Sequence, residues 1–257
     1  MPRPTIVLLH GQPDSSASFW SLRRELRVRL ASGIRVLAPD RPGYGANQLP
    51  ALDFAGNVRW LRRWLHRVDA GPTLLLGHSW AGGVAAMAAA EDGLPIAGLV
   101  LLASVGPHCL HLVDPLLGAP LLGEAISYSV LHLARPLVGR KARATIVDNL
   151  AAPDRPYAVA SGAAMRYRPV WRSFLTEQRA LLRELPAINR ALPRITVPTQ
   201  IIAGTKDPMI PARTPQALAA AIPAAVRFDI AGGHDLQLRH AAPVAELVAG
   251  LAHRSLS

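Results

Sequence analysis

Thr73-Leu74-Leu75-Leu76-Gly77-His78-Ser79-Trp80-Ala81-Gly82-Gly83 is the stretch on which the reading of this chain turns. Its apolar start reads as a buried strand that stops at a glycine-flanked serine, and alanine-rich Val84 to Ala90 then reads as a helix. A strand that turns sharply into a helix needs small residues on both sides of the corner. The corner residue is forced into a strained backbone conformation, with its side chain clear of the sheet's carboxyl edge. A serine there is placed to act as a nucleophile. Gly77 to Ala81 departs from G-x-S-x-G at its last position, where Ala81 adds a methyl that must fit between the new helix and a neighbouring strand. The pentapeptide alone fits a serine-capped turn equally well.

Outward from this corner, strands and helices alternate. Thr5 to Leu9, Arg35 to Ala38, Leu99 to Ala103 and Thr199 to Ala203 read as short buried strands, and Val226 to Ile230 as a weaker one. Helical patterns cover Phe19 to Leu30, Asn57 to Val68, Val84 to Glu91 and Pro243 to Ala252. This order predicts an α/β fold, with a mostly parallel sheet covered by helices on both faces. Loops at the carboxyl ends of such strands build the site. Pro107 to Leu192 breaks the alternation with helix-like pieces separated by prolines. The expected division is a core of residues 1–106 and 193–257, with residues 107–192 inserted as a helical cap.

Composition narrows the function. A chain of 257 residues, half of them apolar, suits one α/β domain with an insertion. The leucine-rich stretch Leu110 to Leu133 contains Asp114, Glu124, two histidines and several glycines and prolines, so no membrane span is expected. Met1-Pro2-Arg3-Pro4 runs directly into a strand-like segment, which predicts no signal peptide and a cytoplasmic location. Cys109 is the sole cysteine and allows no intrachain disulfide. The net charge of +11 comes from 26 arginines and two lysines spread along the chain. The clusters Arg23, Arg24, Arg27, Arg29 and Arg59, Arg62, Arg63, Arg67 share helices with apolar Leu22, Leu26, Leu30 and Val58, Leu61, Leu65. They read as solvated outer faces, and no nucleic-acid partner is expected. Phe19, Trp20, Trp60 and Trp64 fall at helical spacing and read as core.

The corner at Ser79 resembles the nucleophile elbow of the α/β-hydrolase family, and three further motifs stand where that family places them. His10-Gly11-Gln12-Pro13 follows the first strand. The resemblance implies that this loop supplies the Gln12 backbone N–H to an oxyanion hole, with the Trp80 N–H as second donor. Pro13 restricts Gln12 to extended backbone, which would hold that amide in one direction. Asp40-Arg41-Pro42-Gly43-Tyr44-Gly45 matches the family's D-x-x-G-x-G turn and reads as structural, with Asp40 bracing neighbouring loops. The family order of serine, acid and histidine then singles out Asp207, just past the fourth of these strands, and His234, just past the last. The base takes the Ser79 proton, and the carboxylate fixes its tautomer. Taken singly, Asp207 could cap a turn and His234 could be an ordinary loop histidine. The family's sheets carry two antiparallel strands before the one leading to His-Gly. Only a few residues precede Thr5 here, so about six strands are expected.

The resemblance implies a cofactor-independent serine hydrolase that cleaves carboxylic esters of small, apolar substrates. Lactonase, thioesterase, carbon–carbon hydrolase and perhydrolase activities share the fold, as do receptors that retain the triad without turnover. His-Gly-x-Pro and the tryptophan after the nucleophile also resemble haloalkane dehalogenases and epoxide hydrolases. Those enzymes use aspartate as nucleophile, and a serine ether could not be released by attack on a carbonyl. His108-Cys109-x-His111 carries metal-ligand types without a second cluster, so neither metal nor cofactor is expected. The leucine-rich start of the cap predicts an apolar pocket walled by Leu112, Leu116 and Leu117, which prefers short-to-medium uncharged acyl chains. The plain alternative is that these leucines only attach the cap to the core.

Overall fold

A computed structural model describes residues 2–133, 170–223 and 225–256. Its strands are β1 (Arg3–Leu9), β2 (Arg35–Leu37), β3 (Ala70–His78), β4 (Ile96–Leu102), β5 (Thr199–Gly204) and β6 (Ala225–Ile230). They form one parallel sheet in the order β2-β1-β3-β4-β5-β6. Successive side chains of a strand point to opposite faces. Val7, Leu9, Leu75, Leu99 and Leu101 therefore enter one core, while Ile6, Leu8, Leu74, Leu76, Val100 and Leu102 enter the other. Burial on both faces is why these segments read as continuous apolar runs without alternation.

The first face is covered by α2 (Phe54–Arg67), α3 (Trp80–Ala89) and α7 (Arg213–Ala221), the second by α1 (Trp20–Arg27) and α9 (Ala241–Ser255). A one-turn helix, α8 (Leu236–Arg239), precedes α9. The sequence reading missed α7. Pro215 lies in its first turn, where a missing N–H breaks no intrahelical bond. Trp20 corrects a second expectation: it is 49% exposed, while Phe19 and Trp60 are in the core as expected.

Between β4 and β5 lie α4 (Asp114–Gly118), α5 (Leu122–Tyr128), a π-helical turn (Ser129–Leu133) and α6 (Val170–Ala191). Residues 134–169, including the arginine-rich part from Arg135 onward, fall outside the described residues. α6 runs unbroken across Pro186. Its Ala180, Leu181 and Ile188 join the core of the first face, and the same buried side carries Glu177 and Gln178. No helix among the described residues is long and apolar enough to cross a membrane.

Candidate active site

Ser79 sits between β3 and α3 with φ 55° and ψ −123°, a conformation that costs on the order of 1–3 kcal/mol outside glycine. Backbone bonds hold it there. Its N–H donates to Leu102 O (3.0 Å), and its carbonyl accepts from Gly82 N (3.0 Å) and Val105 N (3.2 Å). Gly77 permits the sharp turn, since a Cβ on it would lie 2.5 Å from Ala81 O. Ala81 is fully buried, so the methyl that departs from the motif is accommodated. Ser79 is the N-cap of α3, yet its hydroxyl makes no capping bond. Instead Oγ lies 2.9 Å from His234 Nε2.

The strand ends on the other side of β3 bring Asp207 and His234 together. His234 Nδ1 lies 2.9 Å from Asp207 Oδ2, while Asp207 Oδ1 accepts from the N–H groups of Met209 (2.7 Å) and Ile210 (3.0 Å). Burial pushes the Asp207 carboxyl up. The hydrogen bond from His234, its charge and the two backbone N–H groups outweigh that push and hold it below the usual carboxylate range. A carboxylate at Nδ1 requires the ring hydrogen there, which leaves Nε2 as acceptor for the Ser79 hydroxyl. The loops carrying the pair are tied by Thr205 N to Ile230 O and Lys206 N to Gly232 O, both 2.9 Å. His78, the variable position before Ser79, donates from Nε2 to His234 O (3.2 Å). Burial, then the neighbouring His234, pushes His78 down to about 3, so it stays neutral.

The loop after β1 passes against Ser79 from the opposite side. A Cβ on Gly11 would lie 2.8 Å from Ser79 Cβ, so only glycine allows the approach. Gln12 follows Gly11 in this loop. Gln12 Nε2 donates to Gln178 Oε1 (3.3 Å), and Gln178 Nε2 to Asp114 Oδ1 (2.9 Å). Trp80 opens α3, so its N–H is one that a helix leaves without an intrahelical partner. Its side chain is fully buried, stacked on Phe54 with centroids 3.9 Å apart, and its Nε1 donates to Glu177 O (3.1 Å).

Behind this loop lies a buried cluster that the sequence reading did not find. Asp40 braces loops as expected, accepting from Ser16 N and Ala46 N, both 2.7 Å. Arg41, in the same motif, reaches inward and pairs with Glu177 of α6 through both nitrogens, with neither residue exposed. Its Nε donates to His10 O (2.7 Å) and its Nη2 to Gly11 O (2.9 Å). Tyr44 Oη donates to Glu177 Oε2 (2.8 Å), and the Arg41 guanidinium lies 4.7 Å over the Trp80 ring. Burial drives Glu177 above its ordinary range against the opposing pull of Arg41 and Tyr44. Burial, then Arg41, keeps His10 neutral. Its Nε2 accepts from Arg41 N (3.0 Å), so Nδ1 carries the hydrogen that Gly11 O accepts (2.9 Å). One signal was available: Glu177 and Gln178 stand at buried positions of an otherwise amphipathic helix.

Of the leucines expected to wall a pocket, two are exposed. Leu112 is 98% exposed and Leu116 52%, and Leu117 is only half-buried. α4 packs on α6 where Gly118 lies beside Leu182. Among the described residues no group of three His, Cys, Asp or Glu could hold a metal ion.

Comparison with known proteins follows this geometry. The model of the family described as "Alpha/beta hydrolase family" matches residues 6–247. An uncharacterized protein of Mycobacterium tuberculosis is 28% identical over 241 residues, which are 86% of this chain and 66% of that protein. The chain thus spans about two thirds of the length of that relative. A haloalkane dehalogenase of Mycobacterium marinum is 33% identical over 102 residues, 38% of this chain and 33% of that protein. An esterase from Exiguobacterium antarcticum superposes with a TM-score of 0.74 at 20% identity, over 98% of this chain and 92% of that one. At that identity the likeness is one of fold alone.

Proposed function

The chain belongs to the alpha/beta hydrolase family, and we propose that it is a serine hydrolase that cleaves carboxylic esters of small molecules by acyl transfer. One observation carries the reading: His234 lies 2.9 Å from both the Ser79 hydroxyl and the Asp207 carboxylate. Ser79 Oγ attacks the ester carbonyl while His234 Nε2 takes its proton. Asp207 holds the ring in the tautomer this needs and stabilises the imidazolium. The carbonyl oxygen, now an anion, rests on the backbone N–H groups of Gln12 and Trp80, with the N-terminus of α3 adding a favourable dipole. His234 returns the proton to the departing alcohol. It then activates water, which attacks the acyl-enzyme carbonyl and releases the acid with Ser79 restored. Within the segment 107–192, expected as a cap, α6 reaches the oxyanion loop through Glu177 and Gln178.

A serine nucleophile excludes turnover at alkyl carbon. Aspartate forms an ester with an alkyl group and is freed by water at its own carbonyl; serine would form an ether with no such exit. The relative among haloalkane dehalogenases therefore supports the scaffold and not the reaction. The test is multiple turnover on p-nitrophenyl esters of increasing acyl length, with Ser79→Ala as control. Loss of the nucleophile in such a triad costs on the order of a millionfold in kcat. A folded Ser79→Ala protein that keeps near-normal activity would overturn the reading.

A further inference from the structure

Arg41 and Glu177 are 136 residues apart and have no exposed surface. Such a pair is a poor source of stability, because removing two charges from water offsets their attraction. Its contacts point to another role. Arg41 spends Nε on His10 O and Nη2 on Gly11 O, the two carbonyls that immediately precede Gln12. Gly11 C=O and Gln12 N–H belong to one peptide group. That group is trans, so its oxygen and its hydrogen point in opposite directions. A guanidinium that grips Gly11 O therefore aims the Gln12 N–H away from itself. The neutral His10 ring grips the same oxygen from Nδ1.

Resting on the acyl-transfer reading above, we propose that Glu177 is a positioning residue for the oxyanion hole, acting through Arg41. The carboxylate of α6 takes the remaining edge of the guanidinium and keeps its other donors on the two carbonyls. Tyr44 Oη fixes the carboxylate in turn. The backbone of Glu177 also holds the second donor residue, since its carbonyl accepts from Trp80 Nε1. One residue of the inserted segment thus controls both halves of the oxyanion site without touching the substrate. Neither Arg41 nor Glu177 takes or gives a proton in the reaction.

Glu177→Gln keeps the size and the Tyr44 bond but removes the charge that orders Arg41. The expected result is a fall in kcat per active site on the order of 100-fold, the loss typical of one oxyanion donor, with KM within a few-fold. Sites are counted by the burst of acyl-enzyme formation. The pH midpoint of activity stays put, because the Asp207–His234 pair is untouched, and inactivation of Ser79 by an organophosphate slows in parallel with kcat. A merely structural Glu177 would lower Tm and the number of active sites while leaving the turnover of each unchanged. The double variant Arg41→Met/Glu177→Met covers the case in which an unpaired buried arginine prevents folding, since apolar replacement of such pairs is often tolerated. It is expected to show the same fall in turnover per site. Turnover per site within threefold of the parent in either folded variant would overturn the proposal. Failure of the acyl-transfer reading has a different signature, namely an active Ser79→Ala protein.

Discussion

The two sides of Ser79 are held by different means. On the side of β5 and β6, Asp207 and His234 are fixed by short-range backbone bonds. Asp207 accepts from Met209 and Ile210, two and three residues on, and the two loops are joined by backbone N–H to carbonyl bonds. On the side of β1, the proposed oxyanion loop is fixed by side chains that arrive from elsewhere: Arg41 from the β2 loop, Glu177 and Gln178 from α6, and Phe54 against Trp80. Backbone turns keep their geometry through most substitutions, whereas a side-chain clamp is lost with one residue. The base side should therefore be sensitive only at the chemical groups themselves. The oxyanion side should be sensitive at residues that never meet the substrate.

The largest effect that sharpens this contrast falls on the base side. Asp207→Asn keeps an acceptor for the backbone N–H groups but presents the wrong partner to His234 Nδ1. Turnover is expected to drop roughly 10,000-fold with little change in Tm. A loss below about tenfold, read as kcat on a p-nitrophenyl ester, would mean that His234 is oriented by something else, and His78 at its carbonyl is the first suspect.

A smaller effect separates backbone from side chain on the oxyanion side. Gln12→Ala retains the N–H and loses only the bond to Gln178, so kcat should fall a few-fold. Gln12→Pro deletes the donor and should cost on the order of 100- to 1,000-fold. Equal behaviour of the two folded variants would remove Gln12 from the oxyanion site and leave the Arg41 clamp without a purpose in catalysis.

The smallest effect concerns the place where the two sides meet. Asp14 follows the oxyanion loop. Burial raises its carboxyl from the ordinary 3.8 to about 7, with the charge of Asp235 next to His234 adding to the shift. Between pH 4 and 7 the folded state then binds more protons at this group than the unfolded chain. Stability must fall as pH rises through that window and stay lower above it. Asp14→Asn removes the dependence. The difference in Tm between pH 5 and pH 8 should shrink by roughly 2–6 °C, corresponding to about 1–2 kcal/mol. An unchanged difference would mean that Asp14 titrates as an ordinary exposed carboxylate and does not couple the two loops.

The legibility of the sequence follows the same division. Ser79, Asp207 and His234 each stand a few residues past an apolar run, in turns whose small residues are visible locally. Gln12 and Trp80 are placed by the same local logic. Strand and helix positions were readable for the same reason, although α7 was missed. The exposure of Leu112 and Leu116 was not legible, because apolarity says that a side chain gains from burial and not whether a surface is available to bury it. Arg41 was hidden as one of 26 arginines inside a turn motif whose glycines explain themselves.

By itself, then, the sequence determined a parallel sheet, the corner at Ser79 and the strand ends from which Asp207, His234 and the Gln12 loop emerge. Each of these depends on periodicity and turn chemistry within a few residues. Tertiary structure alone decided which leucines face water, and it alone placed Arg41 and Glu177 behind the oxyanion loop. Both are matters of what lies across a packed interface from a residue. Side chains 136 positions apart are joined there by a bond that leaves no trace in the spacing of either.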